Sequence, residues 1–489
     1  MTASLVIGGG RVIDPLSGYD EVADIAVSSG RITDIGPALE GDERLDAAGL
    51  VVAPGFIDVH SHVHSISGQR LQAHDGVTTA LDLEAGSSPV SAAYAAAARE
   101  GRPLNYGFSA SWAALRMQTL AGVPADANVH TTLHNLGNPK WQRAATAGEQ
   151  AQLISALESE LADGALGVGI LLGYAPGTEP GEYLAVAAAA AQADRPVFTH
   201  ARELVESDPD VPVDGPSEIV RAAAETGAHM HYCHINSTSR RHIDRVLALI
   251  DKCRHEGGQI TTEAYPYGSG STAIGATFLD PDLLSRWDLT PSSIIYLATG
   301  ERVADAARLR ELRALDPGGL AIVELLRESD PRDRALLAAS ILHSDTIIAS
   351  DAMPVMCGGG PLDDDRMWPL PSGSATHPRT AGTFARTLRT YVRDHSAMDV
   401  VEVIRRAATL PALLLERISP EMRHKGRLQV GADADIVAFD PDTVSDQATY
   451  QDSCRISAGF RHVLVNGVPV INSGRLDLEA MPGRPIRAR

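Results

Sequence analysis

Lysine is nearly missing from this 489-residue chain: only Lys140, Lys252 and Lys425 occur, and every other basic side chain is arginine. With 62 acidic against 42 basic residues, the formal net charge is −20. A surface of that sign repels phosphate backbones and anionic lipid, so neither nucleic acid nor membrane is expected as a partner. Cysteine is also sparse, and Cys233, Cys253, Cys357 and Cys454 show no CxxC or other paired spacing. That spacing points to free thiols in a reducing compartment rather than to a disulfide framework. No basic segment followed by an apolar run opens the chain, and the alanine-rich stretch 184–193 is too short and too weakly hydrophobic to span a bilayer. A soluble cytoplasmic protein is the expectation. No GxGxxG follows a strand-like segment, which disfavours a dinucleotide-binding, doubly wound sheet.

What is present is an ordinary globular balance of 44% hydrophobic and 21% charged residues, in a chain long enough for one large domain and a smaller one. Residues 4–52 alternate apolar and polar positions between Gly and Asp-Pro breakers ("SLVIGGGRVIDP", "EVADIAVSSGRITDIG", "RLDAAGLVVAPG"). The same texture returns in "GADADIVAFD" and "FRHVLVNGVPVINSG", where Asn466-Gly467 is a hairpin signal. Residues 1–53 and 425–489 are therefore expected to form one small β-sandwich domain. Residues 54–424 would be inserted between its halves.

That middle region alternates short apolar segments with helical ones, the pattern of repeated βα units. "GFIDVHSH", "GVTTALDLE", "PLNYGFSAS", "GALGVGILL", "RPVFTHA", "AHMHYCHI", "GQITTEAYPY" and "DTIIASD" supply eight strands, the number of an α/β (β/α)8 TIM-like barrel. In that fold chemistry sits at the C-terminal strand ends. An unusually long connection, residues 268–343, is expected as an insertion over the mouth that acts as a lid or specificity loop.

The strand ends carry metal-type ligands. His60 and His62 close the first strand and, two residues apart, point to one side, whereas His64 lies beyond on the loop. Asp82 and Glu84 end the second strand, His200 the fifth, His234 the sixth and Asp351 the eighth. Imidazole and carboxylate together suit zinc or a similar divalent ion. A single histidine at a strand end is more often structural, but five such ends in one sheet point to a metal site. In the sixth strand His229 and His231 share one face and His234 the other, so spacing does not name the ligand there. His234 is preferred because it comes last.

With these residues in place, "GFIDVHSH", "DGVTTALDL", "RPLNYGFSASWAALR", "PVFTHARE", "TTEAYPYGSGST", "IIASD", "THPRTAGTFARTLRTYV" and "GRLQVGADADIVAFDP" resemble, in order and over nearly the whole chain, the N-acyl-D-amino-acid deacylase (D-aminoacylase) family of the amidohydrolase superfamily. The resemblance implies one or two divalent ions, zinc foremost, bound by His60, His62, His200, His234 and Asp351. It implies that Arg379, with Tyr265 and Ser271, holds the substrate α-carboxylate, a pairing that suits a planar guanidinium. Asp351 would also shuttle the proton in hydrolysis of a linear amide.

The chain departs from that family in two places. "LDLEAGSSP" lacks the cysteine that usually ends strand two as a metal ligand; Glu84 is the expected replacement and Cys357 the weaker one. A carboxylated lysine is excluded, since no lysine falls at a strand end. The link from Asp351 to Arg379 is long and is expected to bring Cys357 and Trp368 toward the mouth. The resemblance implies hydrolysis of an N-acyl-amino acid, foremost of the D series, by an enzyme acting on small molecules, with homo-oligomerisation left open. The alternatives are a hydantoinase-like cyclic amidase and a non-catalytic amidohydrolase-fold scaffold.

Overall fold

The computed structural model describes residues 3–489. Along the chain come β1 (Ala3–Asp14), β2 (Tyr19–Ser28), β3 (Arg31–Gly36), β4 (Gly41–Asp46) and β5 (Val51–Pro54). Parallel strands follow as β6 (Phe56–Asp58), β7 (Val77–Asp82), β8 (Asn105–Phe108), β9 (Ala110–Ser111), β10 (Val168–Leu171), β11 (Val197–His200), β12 (Met230–Tyr232) and β13 (Ile260–Ala264). Next are β14 (Ser269–Ala273), β15 (Ile294–Tyr296), β16 (Glu301–Arg302) and β17 (Leu320–Glu324), then β18 (Thr346–Ile348) and three two-residue strands, β19 (Met356–Cys357), β20 (Gly360–Pro361) and β21 (Ser374–Ala375). The chain ends with β22 (Ile436–Phe439), β23 (Phe460–Val465), β24 (Val468–Asn472) and β25 (Arg475–Leu476).

Strands from the two ends of the chain share one nine-stranded sheet, ordered β25-β24-β23-β22-β5-β1-β2-β3, with β4 on β1. The joint is β22 against β5, where Ile436 faces Pro54 and Phe439 faces Val51. Alternation sends Leu5, Ile7, Ile25, Val52, Ile436 and Leu464 to one face, where they pack together, and Val51, Val437, Phe439 and Val463 to the other, which is buried against the α/β part.

The α/β part is built on two parallel runs, β6-β7-β8 and β9-β10-β11-β12-β13-β18. Only Ser109 separates β8 from β9. Just past β6 and β18, Ser61 pairs in parallel with Ala352, and His62 N donates to the Ala352 carbonyl at 2.9 Å. The parallel strands are short and buried; β10 (VGIL) is wholly apolar, whereas β7 (VTTALD) and β13 (ITTEA) carry polar residues inside.

Four of the seven phenylalanines are spent where this part meets the end sheet. Phe56 stacks on Phe384 at 5.1 Å between ring centroids and meets Phe460 edge-on at 6.1 Å, with Phe439 beside them. One of the three lysines is there too. Lys425 is buried with Nζ 3.0 Å from Asp433 and 2.6 Å from Asp435, and Asp435 in turn accepts from Asn105 on β8 at 2.9 Å.

Within the stretch read as an insertion, residues 269–324 form a separate antiparallel sheet, β14-β17-β15-β16. The helix Pro331–Leu342 that follows belongs with the parallel strands, because it packs on β13 and β18. No described helix is long and apolar enough to cross a membrane.

Candidate metal centre and substrate cavity

The chain just after β6 is pinned by Asp58. This buried carboxylate accepts from Ser350 N at 2.9 Å, from the Ser350 hydroxyl, from Gln72 Nε2 at 3.0 Å and from His60 N at 3.2 Å. Burial, opposed by these bonds, moves its pKa up to about 6. The same carboxylate therefore ties the end of β6 to the end of β18, and so sets His60 beside Asp351.

His60 and His62 project to one side, with Nε2 atoms 3.1 Å apart. Each is held from behind by a carboxylate: His60 Nδ1 bonds Glu263 Oε1, and His62 Nδ1 lies 3.0 Å from Asp82 Oδ1. An imidazole that gives its Nδ1 proton to a carboxylate presents the Nε2 lone pair forward, the arrangement found behind metal-ligating histidines. Burial alone would lower the pKa of both rings. Glu84, Glu263 and Asp351 around His60, and Asp82, Asp351 and Glu84 around His62, overturn that and raise both. His64 is not in the cluster: its Nε2 lies 2.8 Å from Asp82 Oδ2, and its ring lines a second cavity on the outer side of His62.

Glu84 stands in the middle. Its Oε2 is 3.1 Å from His60 Nε2 and 3.5 Å from His62 Nε2, while its Oε1 is 2.9 Å from His200 Nδ1 and 2.6 Å from His234 Nε2. One carboxylate oxygen thus faces each histidine pair. Asp351 Oδ1 reaches the first pair at 3.4 Å from His60 and 3.6 Å from His62, and it also groups with His234.

Two of these residues adopt backbone that non-glycine residues rarely accept, φ +32° at His234 and +51° at Asp351, a cost that persists only where surrounding structure imposes it. β12 ends at Tyr232, so its alternation no longer applies at His234; the left-handed turn, with His234 N donating to Glu263 Oε1 at 3.2 Å, aims the ring inward. His231 lies deeper, 3.1 Å from Glu263 Oε2, and His229 bonds Thr261 Oγ1.

Sequence reasoning missed Glu263 and Cys233. Glu263 supports His60, His231 and His234 from inside β13, and the available signal was an acidic residue in a strand read as buried, since a buried carboxylate needs partners. Cys233 groups with His60 and Glu263. Burial and the nearby carboxylates Glu263, Glu84 and Asp351 raise its pKa well above the ordinary thiol value.

Cys357 and Trp368 are corrections. Cys357 lies on β19 with Sγ toward the Ser372 carbonyl, and Trp368 stacks on His74 at 5.7 Å; neither lines the cavity beside the histidines. From that loop Met353 lines it instead.

The cavity is lined by His62, Glu84, His200, His234 and Asp351 on one side and by Tyr265 and Ser271 on another. Behind Tyr265, Arg379 begins the helix Arg379–Thr387 and is wholly buried. Its Nε donates to the Asp351 carbonyl at 2.6 Å, its Nη2 is 2.8 Å from Asp351 Oδ2, and its guanidinium lies 4.6 Å over the Tyr265 ring. Arg379 Nη1, Tyr265 Oη and Ser271 Oγ are all buried without a hydrogen-bond partner. Tyr265 Oη and Arg379 Nη1 both flank Gly270, where a Cβ would lie 3.4 and 3.8 Å from them. Three unspent donors around a glycine make a cradle for an anion such as a carboxylate.

The donor set fits a divalent metal. Four imidazole nitrogens and two carboxylates converge in groups whose ligand atoms lie within 4.8 Å of one another, and nitrogen with carboxylate oxygen is the usual ligand chemistry of zinc. Lone pairs facing one another at this separation repel unless a cation or proton lies between them.

Comparison with known proteins gives a consistent result. Residues 43–234 match the model of the amidohydrolase family. The chain is 30% identical to the N-acyl-D-glutamate deacylase of Alcaligenes xylosoxydans xylosoxydans, over 95% of this chain and 93% of that one. It is 28% identical to the D-aminoacylase of the same organism, over 95% and 94%. Among solved structures, the N-acyl-D-glutamate deacylase of Bordetella bronchiseptica, complexed with zinc and a phosphonate that mimics the tetrahedral intermediate, superposes with a TM-score of 0.76 at 26% identity over the whole of both chains.

Proposed function

Since the chain belongs to the N-acyl-D-amino-acid deacylase family of amidohydrolases, we propose that it is a metal-dependent hydrolase of N-acyl-D-amino acids, releasing a carboxylate and the free amino acid. The observation that carries this reading is the meeting, in one cavity, of the histidine–carboxylate cluster with the unspent hydroxyls of Tyr265 and Ser271, backed by the buried guanidinium of Arg379 behind Tyr265. A cyclic amide has no free α-carboxylate to satisfy those donors, and a scaffold has no use for four converging histidines.

His60 and His62 would hold one ion and His200 and His234 a second, with Glu84 between them and Asp351 closing the site. Divalent metal bound there acidifies water and polarises an amide carbonyl. The protein's own groups do the rest. Asp351 Oδ2 is occupied by Arg379, which leaves Oδ1, on the histidine side, to take a proton from water and hand it to the leaving nitrogen. Burial would raise the Asp351 pKa, but Arg379, His60, His62 and His234 together lower it, so the carboxylate is ionised and ready to accept. Arg379 Nη1, Tyr265 Oη and Ser271 Oγ would bind the α-carboxylate and so fix the scissile bond against the cluster.

The same reading joins β8 and β9 into one interrupted strand and takes the eight parallel strands that result as a closed (β/α)8 barrel formed by residues 54–424, with residues 1–53 and 425–489 as the small β domain. The short step from β8 to β9 and the Ser61–Ala352 bridge support closure. Glu84 in place of the family cysteine is supported by its two oxygens facing two histidine pairs. The test is a panel of N-acetyl and N-formyl D- and L-amino acids with zinc added, scored by release of free amine. Hydrolysis of the D series is expected; no hydrolysis of any member, with cyclic amides cleaved instead, would overturn the proposal.

A further inference from the structure

We infer that this cavity selects N-acyl-amino acids with an uncharged, apolar side chain and turns away those carrying a second carboxylate, an inference that rests on the deacylase reading above. Relatives of nearly equal identity are named for different substrates, one for D-glutamate and one for D-amino acids in general, so overall similarity does not decide between them. The wall of the cavity does.

Once the acyl carbonyl is at the histidine cluster and the α-carboxylate is at Arg379, Tyr265 and Ser271, the substrate side chain and acyl tail are left with the remaining wall. That wall is mostly apolar, formed by Leu133 and Leu136 at the end of the helix Val129–Asn135 and by Phe278, Trp287, Val323 and Leu325 from residues 269–325. Its polar members Thr132, Ser237 and Thr238 are neutral, with Ser237 Oγ donating to the His234 carbonyl and Thr238 Oγ1 to Tyr232 Oη. No lysine or arginine lines it among the described residues. The nearby arginines are committed elsewhere. Arg240 lies 4.0 Å over the Trp287 ring and donates to Ser207 Oγ at 2.5 Å, and Arg313 donates through Nη1 to the carbonyls of Ile274 and Ala276 at 2.7 and 2.6 Å. The neutral hydroxyls of Tyr174 and Thr272 bond each other at 2.9 Å. A side-chain carboxylate lying against this wall would have no counter-ion there. Desolvation of an unpaired charge is unfavourable, whereas an alkyl or aromatic side chain gains from the same wall.

The experiment measures kcat/KM of the zinc-loaded enzyme for N-acetyl-D-leucine, N-acetyl-D-methionine and N-acetyl-D-phenylalanine against N-acetyl-D-glutamate and N-acetyl-D-aspartate. The apolar substrates are expected to lead by at least about 100-fold. Acidic substrates within tenfold of the apolar ones, or ahead of them, overturn the inference and leave the deacylase reading standing. Hydrolysis of neither set counts against the deacylase reading alone, and the inference is then decided by calorimetric titration of the zinc-loaded Asp351→Asn protein. There N-acetyl-D-leucine is expected to bind at least about tenfold more tightly than N-acetyl-D-glutamate, and equal or reversed affinities overturn it.

Discussion

At Glu84 the two carboxylate oxygens divide their attention, Oε2 toward His60 and His62, Oε1 toward His200 and His234. Burial would drive this group toward its neutral form, but His60, His234 and His200 outweigh it and hold the pKa well below the usual carboxylate range. In the proposed two-ion reading, such a charged carboxylate would be the ligand shared between the histidine pairs. Replacing it with a methyl group removes one partner from all four imidazoles at once. Glu84→Ala is expected to lose at least one bound ion per chain, read by elemental analysis, and to lower kcat by about 100-fold or more. Unchanged metal content would show that the histidines alone suffice. The place of Glu84 was legible from a departure, since "LDLEAGSSP" offers no thiol where the family resemblance leads one to expect a cysteine. Glu263 was legible only as an acid inside a buried strand; its partner was not, since its bond to His60 joins residues 203 positions apart and no local pattern encodes such a meeting.

At the scale of elements, alternation was informative where the chain stayed extended. It placed His60 and His62 on one side just past β6, where the bridges His60–Asp82 and Ser61–Ala352 continue the pairing and the two Nε2 atoms meet at 3.1 Å. It gave no answer at His234, because β12 stops at Tyr232 and a left-handed residue reorients the chain. What holds neighbouring strand ends in register is also invisible to periodicity. Ser350, just beyond β18, gives both its backbone N–H and its hydroxyl to Asp58 at the end of β6. Ser350→Ala leaves a buried carboxylate short of one donor, which costs about 1–3 kcal/mol, and it loosens the approach of Asp351 to His60. A lower denaturation midpoint together with weaker metal retention is expected. Loss of stability with metal affinity intact would confine Ser350 to a structural role. The insertion follows the same rule: its length showed in the sequence, but its antiparallel sheet and its share of the cavity wall depend on pairings such as β14 with β17 that only the folded chain reveals.

Over the whole molecule, the helix Arg379–Thr387 and the segment around Ser457 converge on Asp75. Its carboxylate accepts from Phe384 N at 2.8 Å, Ala385 N at 3.0 Å and Ser457 Oγ at 2.8 Å. Burial nonetheless prevails over these bonds and pushes the pKa up to about 7, against about 3.9 in an unfolded chain. Between those values the folded protein keeps a proton that the unfolded chain has released. Its contribution to stability is therefore full below about pH 4 and declines as pH rises toward 7. Denaturant midpoints measured from pH 5 to 8 are expected to fall with pH, and to fall less steeply in Asp75→Asn. An identical slope in the variant would rule out Asp75 as the source.

The seam between β5 and β22 also has a temporal meaning. It joins residues roughly 380 positions apart, so at a synthesis rate of about 5–20 residues per second the first half-sheet leaves the ribosome on the order of 20–80 seconds before its partner exists. Through that interval the free edge of β5 is an open template for any other nascent strand. Production of this protein is thus a race between completing one chain and pairing with the next, and it should be won by slower initiation, lower temperature or a chaperone that covers the edge.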